Sequence, residues 1–302
     1  MKSLPATLAL AFSVTACQQG PPTTQTAAQA PAAAADTARA TATLKAGPPL
    51  PTLFATADTL TSTMREVLRG NDLATLWQHP NESTNLTLDP FEGFFGPEHY
   101  HFALVLTQMT RDAADPAVYH VAGKARYFPS HSIRPFTGTF TVRQVRPLTY
   151  PGFLASHARS YERAADSLAG RTYVARARVQ LREAAAANSG VFEGEAVLDF
   201  FTVPGQPPAY VYVFNHEGPD SQLPTRGGGV LLRGSRRNVS TGQVKPFAVS
   251  PYLPAVTPHL LDDFLLDERM GNINPKYAHL GWEDYWHYEE WWTDSPKPSL
   301  NL

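Results

Sequence analysis

Along residues 100–127 the bulky side chains fall on every second position. Tyr100, Phe102, Leu104 and Leu106 take even numbers, Asp112 to Pro116 is turn chemistry, and Tyr119, Val121, Ala125 and Tyr127 take odd numbers. A period of two marks a strand with one buried face, so the stretch is predicted to be an antiparallel hairpin. Side-chain fit sets an expected register in which paired positions sum to 227. Leu106 then faces Val121, Leu104 faces Gly123, Phe102 faces Ala125 and Tyr100 faces Tyr127, mostly large against small.

The second half alternates in the same way. Tyr173, Ala175, Ala177, Val179 and Leu181 are interleaved with Val174, Arg176, Arg178, Gln180 and Arg182. Ala and Arg favour helix, but the period of two favours strand. After Asn188-Ser189-Gly190 come Phe192, Gly194, Ala196, Leu198 and Phe200, and a sum of 373 pairs Val179 with Gly194, Tyr173 with Phe200 and Arg178 with Glu195. A further turn at Pro204–Pro208 returns through Ala209, Val211 and Val213. Its other face carries Val197, Phe201, Tyr210, Tyr212 and Phe214. Strands apolar on both faces are either covered on both or present a binding surface.

Residues 53–72 are predicted to hold a short helix, with capping-box spacing at Thr63–Glu66 and a stop at Gly70-Asn71-Asp72. The expected class is mainly β: an antiparallel β-sandwich or partly closed barrel, with a short N-terminal helix and an aromatic C-terminal cap over 255–302. Strand, loop, Phe-x-Gly, strand occurs at Tyr119–Gly138 and again at Tyr173–Gly194. This suggests two related β units, 88–150 and 170–250; the alternative is coincidence in a sequence rich in Gly and Phe.

The N-terminus changes the picture. Lys2 precedes the apolar run Leu4–Val14, which ends at Val14-Thr15-Ala16-Cys17. A charged start, a short apolar core and small residues describe a secretory leader, too short to span a bilayer. The only cysteine of the 302 residues stands at its end, where it can form no intramolecular disulfide. The segment resembles the lipobox of bacterial lipoproteins. The resemblance implies a signal peptide over 1–16, lipidation of Cys17 by diacylglycerol and palmitate-type chains, and, from Gln18, anchoring in the cell outer membrane. Residues 17–50 include eleven Ala among Thr and Pro, a composition expected to form a disordered tether before the β domain over 51–302.

A wider resemblance joins Val118–Lys124, Pro135-Phe136-Thr137-Gly138, Gly190–Gly194 and the late Asn274-Pro275-Lys276-Tyr277 with Leu280-Gly281-Trp282. This layout is similar to uncharacterised lipoproteins of Gram-negative bacteria. It carries no activity, and Leu260-Leu261-Asp262-Asp263 departs from their usual Gly-Asp-rich run.

Candidate chemistry is sparse. His99-x-His101 puts two imidazoles on one side of a strand, with His120 as a third candidate metal ligand. The expected register sets His120 opposite Thr107 and His101 opposite Arg126, about 20 Å apart at strand rise, so no metal is assigned. Adjacent acids at Asp262-Asp263, Asp267-Glu268, Glu283-Asp284 and Glu289-Glu290 point apart and form no catalytic dyad. There is no Gly-x-Ser-x-Gly elbow, and Gly227-Gly228-Gly229 lacks the Walker residues. No catalytic residue and no cofactor are assigned.

Four of the five tryptophans lie between Trp282 and Trp292. They read either as a plug on the β core or as a surface for sugar rings or a partner, made by Trp282, Tyr285, Trp286, Trp291 and Trp292. Charge is uneven: residues 120–182 carry eleven Lys or Arg against two acids, and 255–302 nine acids against three bases. Export makes nucleic acid an unsuitable partner for the basic stretch, and lipopolysaccharide phosphate or the acidic tail suits it better. The resulting expectation is a membrane-anchored envelope lipoprotein with a non-catalytic binding or structural role, its ligand a glycan, an apolar molecule or an envelope protein. The alternative is a hydrolase acting on envelope polymers.

Overall fold

A computed structural model describes residues 60–80, 87–149, 170–211, 223–257, 261–264, 273–285 and 290–293, with the backbone alone at 261, 262 and 284. All belong to the unit Leu44–Leu302. The leader, Cys17 and the tether lie outside the described residues.

The alternating segments form strands: β1 (Phe91–Phe95), β2 (Tyr100–Arg111), β3 (Val118–Tyr127), β4 (Ser132–Pro147), β5 (Thr172–Glu183), β6 (Gly190–Phe201), β7 (Ala209–Tyr210), β8 (Val230–Asn238) and β9 (Val244–Ser250). Every pairing is antiparallel, in the order β5-β4-β3-β2-β1-β9-β8-β6-β7. Because β5 also pairs with β6, eight strands close into a barrel and β7 is a short addition beside β6. Closure removes the exposed edges that an open sheet would leave. Both segments of the anticipated repeat contribute strands to this one barrel.

The β5–β6 register is the expected one, with Val179 opposite Gly194, Tyr173 opposite Phe200 and Arg178 opposite Glu195. The β2–β3 register differs. Phe102 faces Tyr127 and Leu104 faces Ala125, then a bulge between Val105 and Gln108 moves the frame so that Met109 faces Val121 and Thr110 faces His120. The turn fixes this frame. Asp112 accepts from the Ala114 and Asp115 amides, Asp115 accepts from Ala117, and the Asp112 amide donates to Val118. The bulge then leaves Gly123 against the Val105 carbonyl and the Phe136 ring, where an added Cβ would lie 2.2 and 2.5 Å from them. Alternation fixes which face is inward, but it cannot register an inserted residue.

The helix anticipated over 53–72 is α1 (Ser62–Gly70), capped by Thr61, which accepts from the Met64 amide, two residues before the expected box. A second helix, α2 (Ala74–Gln78), follows. Leu68, Leu73, Leu76 and Trp77 bury themselves in the same cluster as Met109, Tyr119, Phe140 and Phe200. The helices therefore close one end of the barrel. The other end consists of four tight turns, 96–99, 128–131, 184–189 and 239–243.

The lumen is filled. Phe91, Phe102, Phe136, Phe140, Phe192, Phe200 and Tyr119 all point inward and are almost wholly buried. The outer face of β3–β5 carries Thr137, Gln180, Arg178 and Arg182, all exposed. That is the inverse of a membrane-spanning barrel, whose apolar band faces outward around a polar lumen.

Candidate functional site

The C-terminal segment lies on the outside of the barrel. The sheet alternation turns Phe94, His101, Ala103 and Val105 outward on β1 and β2, and each meets an aromatic partner. Phe94 packs with Leu253, Phe264, Leu280 and Trp282, while Ala103, Val105 and Phe128 pack with Trp291 and Trp292. The Trp282 indole N–H donates to the His99 carbonyl. Glu290, also buried, accepts from both the amide and the hydroxyl of Thr87.

His101 sits at the centre of this layer. Its ring stacks between Phe128 at 4.0 Å and Trp282 at 4.3 Å. Nδ1 lies 2.9 Å from the Gly281 carbonyl, which can only accept, so Nδ1 carries a proton. Nε2 lies 2.6 Å from the Glu92 carboxylate. His101 thus ties strand, turn and C-terminal segment together.

Among the residues anticipated as an aromatic surface, Trp282, Trp291 and Trp292 are buried and Tyr285 is half-buried. They form an internal layer between the tail and β1–β2, so the binding surface expected of them is not presented to solvent at these three indoles. Trp286 and Cys17 lie outside the described residues. Of the histidines, His99 packs on Phe94, His101 has the partners just given, and His120 is exposed and bonds Asp112 at 2.8 Å. His120 and the amides of Asp115 and Ala114 hold the Asp112 carboxyl down at about 2. Among the described residues no three His, Cys, Asp or Glu side chains gather as metal ligands. Of the acid pairs, Asp263 is bonded to Lys276 and Tyr277 on the surface.

Three buried acids, Glu183, Glu195 and Asp199, were not among the candidate site residues read from the sequence. At the turn end, inside the barrel, Glu183 accepts from Tyr127 at 2.5 Å, from Arg236 at 2.7 Å and from the Gly190 amide. Burial, then the neighbouring carboxylate, pushes the Tyr127 phenol well above its ordinary range. Position offered a signal: Glu183 continues the inward series Tyr173 to Leu181, which makes it a charge expected in the core. On the outside, Glu195 pairs with Arg233 at 3.1 Å, and both are buried. Four residues along β6, Asp199 is fully buried and accepts from the Thr225 amide and hydroxyl, which pins the segment before β8. Desolvation raises the Asp199 carboxyl to about 7, against the lowering effect of the Thr225 bonds. With no solvent access it serves as a structural acid.

An open cleft lies at the helix end. With a volume of about 580 Å³, it runs between α1–α2 and the β2–β3 turn, lined by Arg69, Asp72, Thr110, Arg111 and Asp112 with Met109 and Pro116. Arg111 is held in place by donating to the Leu68 carbonyl. Planar carboxylate and guanidinium groups on a shallow floor suit hydroxyl-rich ligands, which need directional donors and acceptors more than enclosure.

Comparison of the chain with protein-family models, with curated proteins and with solved structures finds no match.

Proposed function

We propose that this is a lipid-anchored protein of the Gram-negative outer membrane, held through Cys17, with a non-catalytic role: its barrel is a rigid module that binds a glycan at the helix-end cleft. The observation that carries the reading is the filled lumen. Eight strands can enclose a small ligand or be just filled by side chains, and here aromatic rings occupy the interior. Recognition therefore belongs to the outside, and an apolar molecule in the lumen is disfavoured. What supports a binding role over hydrolysis is that the two carboxylates lining the cleft are already engaged, Asp72 with the Ala74 amide and Arg111, and Asp112 with His120 and the Ala114 and Asp115 amides.

Two measurements test this. Labelled palmitate should enter the wild-type protein and co-fractionate with outer membranes, and Cys17→Ser should abolish both; label in the serine variant refutes the anchor. The protein immobilised against envelope glycans should retain one of them, and Arg69→Ala with Thr110→Ala should release it. Retention of an envelope protein alone, or cleavage of a glycan polymer by the purified protein, would replace the glycan-binding reading.

A further inference from the structure

Among the described residues three large apolar side chains are exposed, Ile133 at 44%, Val239 at 54% and Val244 at 57%. All three stand at the turn end of the barrel. Ile133 is the second residue of β4, and Val239 and Val244 flank the β8–β9 turn. Val239 also donates its amide to Ser189, which brings it beside the turn carrying exposed Ala185, Ala186 and Ala187. Isolated surface aliphatics are ordinary, but among the described residues all three stand at this one end.

The same end is cationic. The stretches 96–100, 126–134, 182–191 and 236–245 contain Arg126, Arg134, Arg182, Arg236, Arg237 and Lys245 against Glu98 and Glu183, which gives six cations, two acids and a net +4. Glu183 is buried and spent on Arg236 and Tyr127, and Lys245 faces Glu98 at 3.9 Å. Arg182 and Arg237 are exposed. Aliphatic tips ringed by cations complement a surface that is negative at its face and apolar just below it, which is the profile of an anionic bilayer.

We infer that the turn end docks on an anionic lipid surface, with Ile133, Val239 and Val244 entering the headgroup layer and Arg182 and Arg237 at the phosphates. Ile133 belongs to β4 and the valines to the β8–β9 hairpin, three and four strands away around the barrel. Contact at both sides would stand the barrel on its end and turn the helix-end cleft away from the lipid. The inference rests on the proposed lipid anchor for the presence of a bilayer. Between Cys17 and Leu60 lie 42 residues; at no more than about 3.5 Å each they span up to ~150 Å, enough to bring either end of the barrel to the membrane.

The test uses the full chain carrying Cys17→Ser, so that no lipid contributes, sedimented with vesicles of phosphatidylcholine alone and of phosphatidylcholine with phosphatidylglycerol. The protein should be retained by the mixed vesicles and released by salt. Ile133→Ser/Val239→Ser/Val244→Ser should weaken retention by ~10-fold or more. The apolar leader is common to both proteins and cancels in the comparison. Unchanged thermal unfolding serves as the folding control, and Arg182→Glu/Arg237→Glu carries the same expectation should the serine variant fail to fold. Equal retention on both vesicles overturns the inference, as does undiminished retention of the folded variants. So does a concentration-dependent dimer that the serine variant dissolves, which would assign this end to a second copy of the chain. Palmitate labelling of the wild type is read separately, so failure of the anchor and failure of the docking are distinguishable.

Discussion

Replacing Asp199 by asparagine should make the protein more stable above neutral pH and less stable, by about 1 to 3 kcal/mol, in acid. The carboxyl is fully buried, and desolvation raises it to about 7 from an ordinary 3.8. Below 3.8 both folded and unfolded chains hold the proton, so ionisation of Asp199 costs nothing. Between 3.8 and about 7 the unfolded chain ionises while the folded one does not, and stability falls as pH rises. Three pH units at about 1.36 kcal/mol each give a loss of ~4 kcal/mol once pH passes 7. The amide resembles the protonated acid in shape and charge, and its oxygen can still accept both Thr225 donors. Its nitrogen would occupy the place of Oδ1, which has no hydrogen-bond partner, at a cost of about 1 to 3 kcal/mol. Urea unfolding at about pH 5 and about pH 8 measures the difference. The wild type should lose about 3 kcal/mol more than the variant between the two, because all other titrating groups are shared. Parallel pH profiles, or a variant less stable than wild type at the higher pH, would refute the reasoning.

Gly123→Ala should destabilise the barrel by ~2 kcal/mol or more, seen as a lowered melting temperature, because its Cβ would overlap the Val105 carbonyl at the bulge. Glu183→Ala should cost ~3 to 5 kcal/mol by leaving Arg236 buried without its counter-charge, and Arg236→Met added to it should recover part of the loss in a double-mutant cycle. Trp282→Ala removes a ring stacked on His101 and the bond to His99, at ~3 to 5 kcal/mol. Limited proteolysis should then cut the C-terminal segment first while the far-ultraviolet β signal persists; simultaneous loss of both would show that barrel and cap fold as one unit.

Much of the barrel was legible because alternation is a local property. Each of Val179, Leu181, Phe192 and Leu198 declares its face through its neighbours, and the β5–β6 register followed from size matching of Tyr173 with Phe200 and of Val179 with Gly194. The β2–β3 register was missed because the bulge beside Gly123 is a tertiary choice, made where inward Phe136 needs room. Of the candidate site, His101 was noticed, but not its partner Glu92, which is adjacent only through the pairing of β1 with β2. The aromatic tail stood out in composition, yet whether its rings face solvent depends on the outward residues of β1 and β2 that meet them.

By itself the sequence determined the strands, their inward faces, and the presence of a helix before them, since period and capping are written in neighbouring residues. Only the tertiary structure decided that the sheet closes, with β5 reaching β6, and that the lumen is full. The same holds for Asp199, Glu183 and Glu195, whose burial depends on segments distant in the chain. Desolvation and close packing are set by what lies across space, and no window of sequence contains that information.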